Sequence, residues 1–258
     1  GVRREQGRVS SWSTTSGEMV CAARLESRVL CLAVVETVRP SATLRTGPVP
    51  PRGKGAADGF GCELLVWAGQ ADGRICVLAG TTLQCRATLT GHRGAVACLC
   101  TPGAPPSNPA PGASIVLSGS EDSSMRLWDA KTAECLRSIQ GGGASLRALL
   151  PVWAVEGEKE RCKIWSAAAD QTLCVWEVRG GRDGGGGKEG GRAATPKTLT
   201  LNADAFDLSA SSDGKIVCAS AGTDGALVLD SSARLRCRLP AEQMASVQCP
   251  RSTPWLAD

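Results

Sequence analysis

The stretch that decides the fold is LTGHRGAVACLC, residues 89–100, followed after a proline-rich interval by IVLSGSEDSSMRLWDAK, residues 115–131. In its second part, short β-branched and apolar runs flank a polar turn at residues 120–124, which is a β-hairpin signal. Residues 95–100 and 135–139 predict one more strand on either side. Four short strands make a sheet with two apolar faces, which is stable only when stacked between similar sheets. The stretch therefore predicts a repeat.

The same spacing recurs along the chain around one acidic residue in each turn. In the clearest copy, Asp122 follows the small residue Ser118 by four positions and precedes Trp128 by six. These offsets, or weaker forms of them, recur around Glu26, Asp72, Asp170 and Asp224. The five reference positions lie 46 to 54 residues apart. Such repeats typically have a period of about 40–45 residues, and visible glycine- and proline-rich insertions account for the excess.

The Gly91-His92 pair that opens the clearest copy and the Trp128-Asp129 pair that closes it resemble one repeat of the WD-repeat β-propeller family. This resemblance implies an all-β fold, a β-propeller of four-stranded WD-type blades. About five blades are legible, so we expect an incomplete propeller. We expect one domain over residues 1–258. Its predicted segments are blades at roughly 8–46, 60–90, 91–140, 145–201 and 203–239, the start of a further blade at 242–258, and a flexible glycine-rich insertion at 180–197.

Composition restricts the classes of protein that the chain can belong to. Of its 258 residues 42% are hydrophobic, and the net charge of +4 is too small to indicate nucleic-acid binding by itself. No apolar run reaches the roughly 18 residues that a membrane-spanning helix needs, so we expect no membrane insertion. The thirteen cysteines are an odd number and lie mostly inside strand patterns. Free buried thiols are typical of reducing compartments, which predicts a cytoplasmic location, with a nuclear one as the alternative.

His92, Ser118 and Asp122 together supply the three residue types of a hydrolase triad. Ser118, however, lies inside a strand pattern and not on the exposed strand-to-helix turn that presents a nucleophile. The resemblance implies another role for these residues: with Trp128 they form a structural tetrad in which the hydrogen bonds run from Trp through Ser and His to Asp. The blade with Ser166, Asp170 and Trp176 has Gly142 in place of the histidine. We therefore predict no catalytic residues.

Metal and cofactor sites are also not predicted. Cys98 and Cys100 alternate along one strand and face the same side of it, but no further ligands are evident and the single histidine belongs to the tetrad. The glycine tract Gly180–Gly191 does not contain the G-x-x-x-x-G-K-[ST] motif of a phosphate-binding loop, and no helix pattern follows it. Trp67 and Trp165, each placed just before its turn, are predicted to pack between blades.

The predicted partner-binding surface is the rim where the Gly-His loop and the hairpin turns meet. Polar side chains on short turns held by a rigid sheet are typical of recognition sites. The rim residues are Arg28, Arg74, Arg93, Glu121 and Gln171.

The resemblance implies a non-catalytic scaffold that mediates protein–protein interactions within a larger intracellular complex, bound to other proteins and with further domains possible in the same chain. Two alternatives remain open. Trp128-Asp129-Ala130-Lys131 resembles the WD-x-[RK] box of substrate receptors for cullin-RING ubiquitin ligases. The degenerate repeats are compatible with the regulatory propeller of a larger signalling protein, of the DENN or Rho exchange-factor type.

Overall fold

The computed structural model describes residues 7–38, 62–103, 115–141, 143–156, 159–178, 197–201, 205–211, 214–220 and 225–240. Every regular element in these ranges is a β-strand, which confirms the predicted all-β class. Over the same ranges no helix is long and apolar enough to cross a membrane. The expected further blade at 242–258 and the glycine tract Gly180–Gly191 lie outside the described residues.

The described part of the chain contains eighteen strands. They are β1 (Gly7–Trp12), β2 (Met19–Leu25), β3 (Val29–Val38), β4 (Cys62–Gln70), β5 (Ile75–Ala79), β6 (Cys85–Leu89), β7 (Val96–Cys100), β8 (Ile115–Ser120), β9 (Ser124–Asp129), β10 (Cys135–Gln140), β11 (Leu146–Glu156), β12 (Lys159–Ala168), β13 (Thr172–Val178), β14 (Lys197–Thr200), β15 (Asp207–Ala210), β16 (Ile216–Ser220), β17 (Ala226–Asp230) and β18 (Leu235–Leu239).

Each sheet is an antiparallel meander in which every strand pairs with the next one in sequence. Sheet 1 contains β1 and β2 alone, whereas sheet 2 (β3–β6), sheet 3 (β7–β10), sheet 4 (β11–β14) and sheet 5 (β15–β18) have four strands each. This order is that of a WD-type propeller blade, which confirms the predicted fold class.

The chain divides into two compact units, Gly1–Gln140 and Gly141–Asp258. Unit 1 holds sheets 1 to 3, and unit 2 holds sheets 4 and 5. The prediction of one domain over 1–258 therefore stays a prediction.

The first strands of sheets 2, 3 and 4 begin in the same way. A register shift, the mark of a β-bulge, follows Val29 in β3, Val96 in β7 and Leu146 in β11. Just before each of these residues a backbone carbonyl accepts a hydrogen bond from the turn after the second strand, as in Glu121 N–H to Ala95 O at 2.9 Å. In each of these sheets, the loop that enters the first strand and the turn between the second and third strands are therefore tied together at one edge.

The core of unit 1 lies between stacked sheets. Trp67 of β4 has no exposed surface and packs in one cluster with Val96 and Trp128 of sheet 3. A second cluster joins Val9 and Leu25 of sheet 1 to sheet 2. Burial of apolar surface between sheets is the main source of stability of such stacks.

Unit 2 repeats this packing with Trp165 of β12 at the centre. Its indole is fully buried among Val152 of β11 and Val217 and Leu229 of sheet 5. Trp67 and Trp165 thus both lie between sheets, as the sequence predicts.

The predicted boundaries of the first two blades, 8–46 and 60–90, are wrong. The strand Val29–Val38 pairs with Cys62–Gln70 and belongs to sheet 2, so sheet 2 begins at 29 and sheet 1 ends at Leu25. Glu26 therefore lies in the connection between two sheets and is not equivalent to Asp122, which lies in a hairpin turn. The pairing partner of Val29–Val38 is distant in sequence, beyond a Gly- and Pro-rich interval, and the local pattern gave no sign of it.

The remaining predicted blades contain the observed sheets: sheet 3 lies within 91–140, sheet 4 within 145–201 and sheet 5 within 203–239. Lys197, the last residue of the predicted insertion 180–197, is the first residue of β14.

Candidate functional site

The hairpin turn between β8 and β9 is built around the carboxylate of Asp122. This carboxylate accepts hydrogen bonds from the backbone N–H of Arg93 at 2.7 Å, the backbone N–H of Ser124 at 2.9 Å and the hydroxyl of Ser124 at 2.6 Å. Asp favours such turns because its short side chain can bond backbone groups two residues on. Asp122 thus ties the loop that enters sheet 3 to the turn of the same sheet.

A chain of side-chain hydrogen bonds continues from this turn into the sheet. The indole Nε1 of Trp128 donates to Ser118 Oγ at 2.8 Å, and Ser118 Oγ is 2.7 Å from His92 Nε2. His92 Nδ1 in turn is 3.2 Å from Asp122 Oδ2. The structure therefore brings all four predicted tetrad residues together, in the order that the resemblance implies.

The donors and acceptors of this chain require one neutral tautomer of His92. An ionised Asp122 can only accept, so the proton of the imidazole belongs on Nδ1, and Nε2 accepts from the hydroxyl of Ser118. Burial lowers the pKa of His92, although the neighbouring Asp122 carboxylate acts in the opposite direction. A protonated ring would direct a second N–H at Ser118 Oγ, which already accepts from Trp128.

The carboxyl of Asp122 is held in its ionised form. Burial alone would raise its pKa, but the hydrogen bonds from the Ser124 hydroxyl and from the backbone N–H of Arg93 and Ser124 outweigh burial, and the pKa is lowered well below its usual value. Hydrogen bonds to the charged form are a recognised cause of such a shift.

Two further residues support the tetrad and were missed in the sequence. Ser124 Oγ lies 3.0 Å from His92 Nδ1. It therefore accepts the Nδ1 proton of His92 together with the Asp122 carboxylate. Arg126 Nη2 donates to the carbonyl of Gly91 at 2.8 Å. The backbone of Gly91 has a φ of +150°, a conformation that other residues rarely adopt, which explains why glycine precedes His92.

A sequence signal for Ser124 does exist, because a hydroxyl residue follows the turn Asp by two positions in unit 2 as well. There Thr172 Oγ1 donates to Asp170 Oδ1 at 2.6 Å, and Trp176 Nε1 donates to Ser166 Oγ at 2.9 Å. Sheet 4 thus retains two parts of the network, while Gly142 lies outside the described residues.

In sheets 2 and 5 the Ser and Trp positions are apolar. By strand register, Ala68 and Leu78 of sheet 2 are equivalent to Ser118 and Trp128. Both are fully buried, in a cluster with Leu25. In sheet 5 the register makes Ala219, and not Ser220, the equivalent of Ser118. Apolar packing there replaces the hydrogen bonds.

The network is unsuited to nucleophilic catalysis. Ser118 has no exposed surface, and its hydroxyl is held by Trp128 as well as by His92. A nucleophile must reach a substrate and be activated by a base that is itself oriented. Ser118 meets only the second condition, so the arrangement is structural.

The described residues contain no group of three or more His, Cys, Asp or Glu side chains placed to hold a metal ion. Their cysteines are free thiols. Burial raises the pKa of Cys98, and the neighbouring thiols Cys100 and Cys31 add to this effect. Cys98 is therefore a protonated, half-buried thiol on β7.

Four of the five predicted rim residues lie in unit 1, on turns and loops that contact one another. The carbonyl of Arg28 accepts from Ala71 N–H in the turn between β4 and β5. A Cβ at Gly73 of that turn would lie 2.8 Å from the carbonyl of His92. The chain next to His92 then contacts the turn of Glu121. Arg28, Arg74, Arg93 and Glu121 are therefore carried by one continuous surface, which we call the rim of unit 1.

Arg74 is already engaged on this rim. Its Nη1 lies 2.6 Å from Glu26 Oε2 and its Nη2 lies 2.8 Å from Asp72 Oδ2. Arg93 has an exposed side chain, while its backbone N–H is bonded to Asp122. The fifth predicted residue, Gln171, lies in unit 2, where it occupies the left-handed position of the turn after β12 with φ of 64°.

The comparisons with known proteins agree with this geometry. Residues 83–129, which contain the whole tetrad, match the family model described as WD domain, G-beta repeat. The chain is also similar to the crystal structure of the computationally designed Ika8 protein, with 18% sequence identity and a TM-score of 0.52. That match covers 85% of this chain and 51% of the designed one, so the chain spans about half its length. At this identity the likeness shows the fold alone. No curated protein matches the sequence.

Proposed function

We propose that this chain, a WD-repeat protein, is a non-catalytic scaffold that binds other proteins within a larger intracellular complex, through the rim of unit 1. WD repeats in general mediate protein–protein interactions without catalysing reactions, and the match over residues 83–129 supports that role here. The observation that supports the rim in particular is its rigidity. The Asp122 carboxylate fixes both the loop of Arg93 and the adjacent turn.

A docking surface on such turns needs little reorganisation on binding. The turn of sheet 3 is held by the tetrad, and the turn of sheet 2 by the ion pairs of Arg74 with Glu26 and Asp72. A pre-organised surface loses less conformational entropy when a partner binds. The exposed Arg93 and Glu121 carry opposite charges, which favours a partner with a mixed polar surface and not a polyanion such as nucleic acid.

The experiment is affinity capture from cell lysate with the whole chain, followed by direct binding measurements with the recovered partner. Arg28→Glu combined with Arg93→Glu should weaken the affinity at least about tenfold, as expected when contacts in a docking surface are reversed in charge. Reversing Arg74 is avoided, because it would place a third carboxylate beside Glu26 and Asp72. Full capture by the double variant would contradict the proposal.

Lys131→Glu serves as the matched control, since Lys131 is exposed on the turn between β9 and β10. It also tests the ubiquitin-ligase alternative, because Lys131 ends the WD-x-[RK] box. Loss of partners with Lys131→Glu alone would favour that alternative.

The structure offers a simpler reason for the box. The carboxylate of Asp129 accepts backbone N–H bonds from Lys131 and Thr132 at 2.8 Å. Asp230 of sheet 5 holds its turn in the same way, through Ser232 and Arg234 at 2.9 Å. A turn-forming role therefore accounts for Asp129. The ligase receptor and the signalling propeller both remain predictions, as do the cytoplasmic location and any further domains.

A further inference from the structure

A group of cationic side chains lies where sheet 4 meets sheet 5 in unit 2. Lys163 of β12 and Lys197 of β14 each donate a hydrogen bond from Nζ to a backbone carbonyl of the turn between β17 and β18. The acceptor of Lys163 is Ser231 O at 3.4 Å, and the acceptor of Lys197 is Ser232 O. Two ammonium groups thus converge on successive residues of one turn.

Three more cationic residues belong to this turn or are bonded to it. The backbone carbonyl of Lys215 accepts from Ser231 N–H at 3.0 Å. Arg234 ends the turn, and Arg236 follows it on β18, where its Nη2 lies 2.9 Å from Asp230 Oδ2. We call the five residues the basic cluster of unit 2: Lys163, Lys197, Lys215, Arg234 and Arg236. All of them except Lys163 are exposed.

The fold does not require these cations, because the equivalent junction of sheets 2 and 3 in unit 1 is built without them. By strand register, Leu65 and Ala87 of sheet 2 are equivalent to Lys163 and Lys197. Both pack in one apolar cluster with Ala130, which lies on the turn between β9 and β10 of sheet 3.

The turn itself shows the same difference between the two units. In both sheets it contains an alanine in the left-handed conformation, Ala133 with a φ of 60° and Ala233 with a φ of 59°. One and three positions after this alanine, sheet 3 has Glu134 and Leu136, whereas sheet 5 has arginine at both positions. The equivalent positions in unit 1 are therefore apolar or acidic, and the positive charge is particular to unit 2.

Two acidic residues offset part of this charge. Asp230 is engaged within the turn, where its carboxylate accepts from the backbone N–H of Ser232 and of Arg234, both at 2.9 Å. Strand register adds Glu177 opposite Lys163. The five cations outnumber these two residues. Lys163 is only 8% exposed, and a charge is costly to bury unless it is paired and hydrogen-bonded. The cluster therefore favours an anionic ligand.

We propose that the basic cluster of unit 2 is a docking site for an acidic segment of a partner protein, whose carboxylates bind the exposed Lys197, Arg234 and Arg236. Complementary charges across an interface select the partner and speed its association. Nucleic-acid binding favours a strongly basic face or stripe, whereas here the cations surround one turn and the whole chain has a net charge of +4. The proposal rests on the proposed scaffold function only in that the partner is a protein.

The probe is a short fluorescently labelled peptide in which glutamate alternates with serine. The reference peptide has glutamine in place of glutamate. We expect saturable binding of the glutamate peptide to the full chain at low ionic strength, with an affinity that falls as salt is added, because salt screens exposed charges. The glutamine peptide should show no saturable binding.

The double variant Lys197→Gln with Arg234→Gln should weaken the affinity for the glutamate peptide at least about fivefold, because two ion pairs with the peptide are lost. Arg234→Gln alone should act in the same direction. It retains the bond from Lys197 to the turn, so it decides the matter if the double variant fails to fold.

The matched control is Arg24→Gln with Lys131→Gln. Both side chains are exposed in unit 1, and Lys131 lies on the turn of sheet 3 that is equivalent to the turn of Ser232. The change in net charge is the same as in the double variant of unit 2, so the affinity should stay nearly constant if the cluster and not the overall charge binds the peptide.

Three results would overturn the proposal. The first is no saturable binding of the glutamate peptide up to about 1 mM, or equal binding of the glutamine peptide. The second is an affinity that the variants of the cluster leave unchanged, or that the control variant lowers equally. The third is tighter binding of a labelled oligouridylate that is lost in the same variants, which would assign the cluster to nucleic acid. Arg28 and Arg93 are unchanged throughout, so failure here is distinguishable from failure of the rim of unit 1.

Discussion

The indole of Trp128 and the hydroxyl of Ser118 are joined by a buried hydrogen bond of 2.8 Å, and ten residues separate them in the chain. The same bond recurs between Trp176 and Ser166 at 2.9 Å. At the equivalent pair in sheet 2, Leu78 and Ala68, both groups are apolar. The position is therefore either fully hydrogen-bonded or fully apolar, as buried groups require.

This comparison predicts that sheet 3 requires a hydroxyl at Ser118, whereas sheet 2 requires an apolar side chain at Ala68. Ser118→Ala should destabilise the chain by about 1–3 kcal/mol, because Trp128 Nε1 and His92 Nε2 lose their partner. Ala68→Ser should destabilise by a similar ~1–3 kcal/mol, because it buries a hydroxyl among apolar side chains. Urea unfolding measures both changes. If Ala68→Ser stabilised the chain, the view of the sheet 2 position as apolar would be wrong.

His92→Ala should cost about 1–3 kcal/mol in the free energy of unfolding, since buried Ser118 and Asp122 would lose a partner. No hydrolytic activity is expected to disappear with it. Ser166→Ala is a suitable comparison, because it breaks the equivalent bond of sheet 4, from Trp176 Nε1 to Ser166 Oγ. A hydrolase activity that is present in the wild-type chain and lost in His92→Ala would restore the catalytic interpretation.

Stability should fall as the pH drops below about 6.5, the ordinary pKa of histidine. Burial lowers the pKa of His92 in the folded chain, so the unfolded chain takes up a proton that the folded chain does not. The contribution is fully present above the unfolded pKa and is lost as the pH falls through the folded one. His92 is the only histidine. The variant His92→Gln should therefore flatten the pH dependence of the melting temperature between about pH 7 and 5.5, and an unchanged slope would contradict this assignment.

Thiol labelling should separate the cysteines by burial. Burial raises the pKa of Cys31 to about 12 and that of Cys162 to about 11, and reactivity depends on the thiolate. The exposed Cys85, Cys135 and Cys237 should react with iodoacetamide at neutral pH before Cys31 and Cys162 do. Mass spectrometry of the labelled peptides checks this order. Equal rates for Cys162 and Cys237 in the folded chain would contradict it.

The sequence predicts the parts of the fold that are encoded locally. Asp122, Ser118 and Trp128 lie within eleven residues, so their hairpin is recognisable from spacing alone. The partner of Val29–Val38 is not, because pairing with Cys62–Gln70 crosses an interval without strand pattern. The polar connection around Glu26 resembles a hairpin turn in composition. For this reason the predicted boundary between the first two blades was displaced by one strand.

The same distinction between local patterns and contacts of distant segments applies to the candidate site. The tetrad could be predicted from the resemblance to WD repeats, and the packing of Trp67 and Trp165 from their equivalent positions before the turns. The ion pair of Arg74 with Glu26 could not be, since it joins two connections 48 residues apart whose proximity depends on the stacking of sheets. The hydroxyl of Ser124 was predictable in principle from the Asp-x-Ser spacing that Asp170 and Thr172 repeat.

The most direct test of the central claim, that His92 is a structural link between Ser118 and Asp122, is the ¹⁵N NMR spectrum of its imidazole. A single histidine gives a single pair of ring signals. We predict the neutral tautomer with the proton on Nδ1 at pH 7, which persists below the ordinary histidine pKa of about 6.5. A ring that titrates at about pH 6.5 like a free imidazole, or one that carries its proton on Nε2, would contradict the account.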